Sequence, residues 1–141
     1  IQMVKILFEK DLCLGCKTCE LACAAAHSKT KSIVGAIKEK KISRLRIKTK
    51  SGKMKLEQCM LCKNPRCITV CPTGALSKDK ESGIIKVDEM LCTGCGLCGD
   101  ACPFGAIELH NFPTICDRCA KAEKPLCALS CPTRALKVKI V

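Results

Sequence analysis

The sequence predicts an α+β fold of two similar units of short strands and short helices, related by pseudo-symmetry, with the outer unit assembled from both ends of the chain. Three observations predict it. Sixteen of the 141 residues are cysteine, and they fall into four groups of four with none left over. Three phenylalanines, no tyrosine and no tryptophan leave too little large apolar surface for an ordinary core of this length, so something other than side chains must fill the interior. Short apolar runs flank the cysteine groups beside turn residues, in a pattern that occurs twice.

From the N-terminus, Met3 to Phe8 reads as a strand leading into Cys13, Cys16, Cys19 and Cys23, spaced C-x2-C-x2-C-x3-C. Ala24-Ala25-Ala26-His27 follow without a proline, so the first helix is expected to run about one turn further than the others. Residues 24–58 separate the first two groups, and most of that stretch reads as a hairpin: Ile42, Leu45 and Ile47, a Lys50-Ser51-Gly52-Lys53 turn, then Met54 and Leu56. In Cys59, Cys62, Cys67 and Cys71 the gap before the third cysteine grows to four residues, and Pro72 follows the fourth. Gly74 to Ser77 and Ile84 to Val87 read as strands ahead of Cys92, Cys95, Cys98 and Cys102, which repeat the first spacing and end on Pro103. Ala106 to Leu109 is the next strand. In Cys116, Cys119, Cys127 and Cys131 the gap widens to seven residues, Pro132 follows, and Ala135 to Val141 closes the sequence as a strand. Groups two and three form an inner unit, residues 59–109. Groups one and four form an outer unit, 1–32 with 110–141, if the two ends meet. Residues 33–58 are a basic hairpin insertion between them.

The C-x2-C-x2-C-x3-C run is that of bacterial ferredoxins. A [4Fe-4S] cubane presents its irons at corners, so three cysteines on one tight loop each reach a corner while loop amides point at the sulfurs and stabilise their negative charge. The third and fourth cysteines stand four residues apart, roughly 6 Å along a helix, and so face different clusters. Each group thus shares its last cysteine with a partner group. Proline after that cysteine disfavours helix at the cysteine and turns the backbone toward the next strand. Other uses of cysteine fit less well. A disulfide scaffold needs an oxidising compartment. Structural zinc explains CxxC pairs but not a triple CxxCxxC with a fourth cysteine before proline. Reactive thiols would be isolated. Four [4Fe-4S] clusters use all sixteen cysteines.

The formal charge of +12 treats those cysteines as neutral. Each cluster with its thiolates contributes about −2, which brings the holo-protein to about +4, so the lysines largely compensate the cofactors. The missing aromatics argue against a base-stacking surface, and no nucleic-acid partner is expected. Between Lys38 and Lys55 nine basic residues face one acid, Glu39. They suit either a solvated edge hairpin kept from aggregating by lysine or a docking face for an acidic redox partner. His27 is expected to cap or pack at a helix end, and His110 stands at no ligand spacing. Asp117 and Arg118 are expected to fix the fourth loop or shape the field at its cluster. No run of about 18 apolar residues exists, so no membrane span is expected, and the first ten residues hold no signal-peptide core, so the expected compartment is the cytoplasm. Nothing reads as a nucleophile–base pair, a phosphate loop or a nucleotide fingerprint, so no catalytic residue is assigned and an electron carrier without a substrate site is expected rather than an enzyme.

On these motifs the protein resembles the four-cluster ferredoxin-like electron-transfer subunits of dimethyl sulfoxide reductase, formate hydrogenlyase and formate dehydrogenase. Cys13-Leu14-Gly15-Cys16-Lys17-Thr18-Cys19-Glu20-Leu21-Ala22-Cys23 and Ala26-His27-Ser28 carry the likeness, with Cys59-Met60-Leu61-Cys62, Asn64-Pro65-Arg66-Cys67 and Gly94 through Ile107. It is similar above all to the short cytoplasmic branch with the iron–sulfur protein of carbon monoxide dehydrogenase and the polyferredoxins of tungsten aldehyde oxidoreductases. The resemblance implies four ligand sets: Cys13, Cys16, Cys19 with Cys131; Cys116, Cys119, Cys127 with Cys23; Cys59, Cys62, Cys67 with Cys102; and Cys92, Cys95, Cys98 with Cys71. It further implies a relay in anaerobic metabolism between a molybdenum, tungsten or nickel catalytic subunit and a second donor or acceptor, with stacking of further copies an additional expectation. An independent soluble polyferredoxin is the alternative.

Overall fold

The computed structural model describes residues 3–120, 122 and 124–140. In sequence order the elements are β1 (Val4–Phe8), α1 (Thr18–Ala26), α2 (Ile33–Lys38), β2 (Leu45–Lys50), β3 (Lys53–Gln58), α3 (Arg66–Val70), β4 (Leu76–Lys78), β5 (Ile85–Val87), α4 (Leu97–Ala101), β6 (Glu108–Leu109), β7 (Pro113–Thr114), α5 (Leu126–Ser130) and β8 (Leu136–Ile140). The strands pair two by two into four antiparallel ribbons, and α3 packs on α4 while α1 packs on α5. The two ends do meet: β1 pairs with β8 in the register Val4 to Ile140 through Phe8 to Leu136. Val141, at the end of the expected last strand, lies outside the described residues.

The Cys-Pro steps end the helices as expected. Cys71, Cys102 and Cys131 have ψ of 113°, 114° and 117°, extended values imposed by the following proline ring, and α3, α4 and α5 stop one residue earlier, each after five residues. The alanines after Cys23 carry α1 to nine residues, closed by His27.

Two elements depart from the sequence reading. Helix α2 lies where a hairpin insertion was expected to begin. Ser28, 1% exposed, donates to Ala25 O at 2.7 Å and accepts from Ser32 N at 3.1 Å, and the Ser32 hydroxyl caps α2 by accepting from Gly35 N at 3.0 Å. Six residues are too few for a helical period to stand out, and Ile33, Val34 and Ile37 remain exposed, so no buried stripe marks it. Strand β7 is the other, a two-residue pairing of Pro113–Thr114 with β6.

The hairpin itself forms where expected. Ser51 and Gly52 both take positive φ, 52° and 75°, the twist a two-residue turn needs to match right-handed strands. Its inner face is buried, with Leu45 1% and Ile47 4% exposed, and two of the nine basic residues, Arg44 and Arg46, are partly buried. Arg46 pairs with Glu108 at 2.8 Å and Glu57 at 3.5 Å, Lys48 reaches Glu57 at 3.1 Å, and Arg44 donates to Ile115 O at 3.0 Å. The Ile47 N–H donates to Glu20 of α1 at 2.6 Å. The hairpin is thus fastened to α1, to β6 and to the loop that carries Ile115, beyond what an edge ribbon would do.

Candidate metal centres

Each cysteine group begins with the same backbone turn. The residue just before the second cysteine, Gly15, Leu61, Gly94 or Arg118, takes positive φ of 70°, 52°, 72° and 55°. This left-handed step folds the loop back on itself so that its amides face inward. Glycine occupies it freely, whereas Leu61 and Arg118 hold it at a cost of about 1–2 kcal/mol. A second such step follows the Cys-Pro pairs, at Gly74, Gly105 and Arg134. At Gly94 a methyl group would also stand 3.2 Å from Asn111 O. Gly94→Ala is therefore expected to destabilise the third loop by about 1–2 kcal/mol, read as earlier thermal bleaching of cluster absorbance; an unchanged bleaching profile would contradict it.

Three small cavities collect the thiols. One is lined by Cys13, Cys16, Cys19 and Cys131, a second by Cys71, Cys92, Cys95 and Cys98, and a third by Cys59, Cys62, Cys67 and Cys102. The remaining four also meet: burial first, then repulsion from neighbouring Cys116, Cys23 and Cys119, pushes the Cys127 thiol up to about 12. In the three cavities no carboxylate, histidine or side-chain amide joins the sulfurs, and the other lining groups are largely apolar, such as Ile47, Leu76 and Ile85. All-sulfur donor sets in apolar walls suit soft iron–sulfur cofactors and not hard oxygen-seeking cations.

The thiols differ by position. The third cysteine of each group sits at a helix start and burial raises its pKa, to about 11 at Cys19 and Cys67 and upward at Cys98. At Cys71 and Cys131 burial still pushes upward, but hydrogen bonds win. Thr73 with the Ala75 and Leu76 amides brings Cys71 down to about 7, and the Leu136, Thr133 and Ala135 groups lower Cys131. The turns after Cys71-Pro72 and Cys131-Pro132 are thus cradles of donors for a thiolate.

Two polar networks touch the sets. The His27 ring donates from Nε2 to Asp117 Oδ1 at 3.0 Å, and its Nδ1 lies 2.7 Å from Cys23 O; the Asp117 contact raises the His27 pKa to about 9. Asp117 also accepts from Cys119 N at 3.0 Å and pairs with Arg44 at 3.5 Å, while the Arg44 N–H donates to Cys23 Sγ at 3.2 Å. His27 thus sits at a helix end, and Asp117 fixes the fourth loop. His27, Asp117 and Cys119 offer ligand atoms within 4.8 Å of one another, a convergence these hydrogen bonds already use. His110 is exposed, 3.9 Å from Glu108. Sequence reasoning missed Gln58 and Arg44. Gln58, 2% exposed, donates to Cys116 Sγ at 3.5 Å across 58 residues, a contact without any local sequence signal.

Among the described residues no helix is long and apolar enough to cross a membrane. Residues 50–140 and residues 12–75 each match a family described as a 4Fe-4S dicluster domain. The electron transport protein HydN of Escherichia coli (strain K12) is 32% identical over 93% of this chain and 85% of its own. A subunit of the anaerobic dimethyl sulfoxide reductase of the same strain is 37% identical over 91% of this chain and 69% of its own. The fold is shared with a solved chain of the active site complex BamBC of benzoyl coenzyme A reductase, as isolated, at a TM-score of 0.52 and 19% identity, covering 100% of this chain and 79% of that one. Two dicluster domains give four [4Fe-4S] clusters, a number that sixteen cysteines fit, and the protein transfers electrons as an iron–sulfur relay. It belongs to the 4Fe-4S dicluster family of ferredoxin-like electron-transfer proteins.

Proposed function

We propose that this chain is a non-catalytic relay subunit working between a catalytic oxidoreductase subunit of the molybdenum, tungsten or nickel class and a second redox partner. When bound, the clusters supply one-electron chemistry without bond making. The residues we assign to hold them are the four sets: Cys13, Cys16, Cys19 and Cys131; Cys23, Cys116, Cys119 and Cys127; Cys59, Cys62, Cys67 and Cys102; Cys71, Cys92, Cys95 and Cys98. The observation that carries this reading is the convergence of each set from two distant stretches of sequence.

The sets also suggest an order. Helices α3 and α4 carry the cysteines shared between the Cys71 and Cys59 sets, and α1 and α5 those shared between the Cys23 and Cys13 sets. Repulsion from Cys116 adds to the burial that raises the Cys59 pKa, and this nearness supports an order with the Cys59 set next to the Cys23 set. The two sets left at the ends are those with an exposed thiol, Cys95 and Cys16. Exposed apolar side chains flank both: Met90, Leu91 and Leu97 at one, Leu12 and Leu14 at the other. Surfaces of that kind suit partner contact. We further divide the protein into the outer unit 1–32 with 110–141, the inner unit 59–109 and the joining segment 33–58, and place it in the reducing cytoplasm, where sixteen thiols stay available to iron.

An anaerobic pull-down from native cells tests this, with iron, acid-labile sulfide, molybdenum, tungsten and nickel quantified together. About sixteen irons per chain with a co-purifying metalloenzyme is the expected result. Full iron content with no stable partner would favour an independent polyferredoxin shuttle, and far less iron would break the four-set assignment.

A further inference from the structure

Arg118 is a buried cation, 6% exposed, and among the described residues no carboxylate pairs with it. A guanidinium in such a place is costly unless negative charge and acceptors surround it. Its acceptors come from both halves of the molecule. Nε donates to Val4 O at 3.0 Å, Nη1 to Cys116 Sγ at 3.0 Å and Nη2 to Cys59 O, while the Arg118 backbone N–H also points at Cys116 Sγ, 3.4 Å away. Arg118 further occupies the left-handed turn position, φ 55°, that glycine fills in the first and third groups. A strained backbone and a buried cation that meets a cysteine sulfur, and no carboxylate among the described residues, point to use of that charge.

We infer that Arg118 is a positioning residue for the step between the two halves of the relay: its fixed positive charge stabilises the reduced form at the Cys59 and Cys116 sets and locks those sets against each other. Reduction adds one electron and makes or breaks no bond, so a cation that touches both sets favours the reduced side of each. Buried Gln58, donating to the same Cys116 sulfur at 3.5 Å, acts in the same sense. The two end sets lie away from this contact. The inference rests on the four-set assignment proposed above.

The test is a redox titration followed by electron paramagnetic resonance on the holo-protein carrying Arg118→Gly, Arg118→Met or Arg118→Lys. Arg118→Gly removes the charge and relieves the left-handed strain, and Arg118→Lys keeps a cation there, so the pair separates loss of charge from loss of folding. With all irons retained, two of the four midpoint potentials are expected to fall in the glycine and methionine variants, each by about a tenfold change in the reduced-to-oxidised ratio, or about 59 mV for one electron. The other two stay fixed, and Arg118→Lys recovers most of the shift. Four unchanged potentials, or four shifted equally, would overturn the role of Arg118. The affected signals are identified against Cys59→Ala and Cys116→Ala proteins. If those two variants fail to remove two different clusters, the set assignment itself is at fault; if they do and the shift falls on other clusters, only the Arg118 inference fails.

Discussion

Iron removal is expected to unfold this protein completely. The reason lies in what the interior is made of. One core gathers Cys59, Cys98 and Cys116 among its eight buried residues, and the other gathers Cys19, Cys23 and Cys127 among its seven. The remaining core residues are small or medium aliphatics such as Ala106, Ile115, Ile6 and Leu136, and every sheet is a two-stranded ribbon, which is marginal on its own in water. Helices of five residues are equally unable to stand alone. Metal binding therefore supplies most of the folding free energy, on the order of 10 kcal/mol for a structural site in comparable small metal-dependent domains. After chelation under reducing, anaerobic conditions the amide spectrum should collapse to the narrow range of an unfolded polypeptide, and thermal scans should show no cooperative transition. A well-dispersed spectrum from the iron-free protein would refute this.

Cys71→Ala is expected to cost the cluster held by the third cysteine group rather than that of its own. Cys71 follows Cys67 by one helical turn at the end of α3, and the cavity it lines belongs to Cys92, Cys95 and Cys98, whereas Cys67 lines another with Cys59, Cys62 and Cys102. The variant should lose the resonance signal of a single [4Fe-4S] cluster, with up to about four irons released per chain. The missing signal should be the one lost in Cys92→Ala, and Cys62→Ala should remove a different one. Electron exchange at the surface around Met90, Leu91 and Leu97 should fall to background in both Cys71→Ala and Cys92→Ala. Loss of the Cys62-type signal from Cys71→Ala would overturn the shared-ligand scheme.

Much of the fold was legible because the cofactor imposes local rules. Where three cysteines must serve one cubane, the loop needs a left-handed residue before the second of them, and Gly15 and Gly94 advertise it; Leu61 and Arg118 do not, since a side chain there is tolerated only with support from the rest of the fold. The proline after Cys71, Cys102 and Cys131 announced three short helices, and its absence after Cys23 announced a longer one. The type of hairpin turn at Ser51-Gly52 was equally local. Helix α2 escaped notice because its cap, Ser32, and its hinge, Ser28, act through hydrogen bonds to backbone groups that a six-residue stretch does not reveal.

Cofactor class, cluster count and the short paired elements were all written in the linear order of residues, since they follow from cysteine spacing and from neighbours within a turn of one another. The meeting of the two ends was only a condition there, and the pairing of β1 with β8 fulfils it. Other features exist only once the protein is folded: Arg44 and Arg46 turn inward, exposed Lys48 reaches Glu57, Gln58 reaches Cys116, and Arg118 stands between Cys59 and Cys116. Those contacts join groups 9 to 71 residues apart except where Arg118 meets its own loop, and no local propensity encodes them. They are set by which charges the folded protein can bury with partners, and that depends on where the cluster charges come to rest.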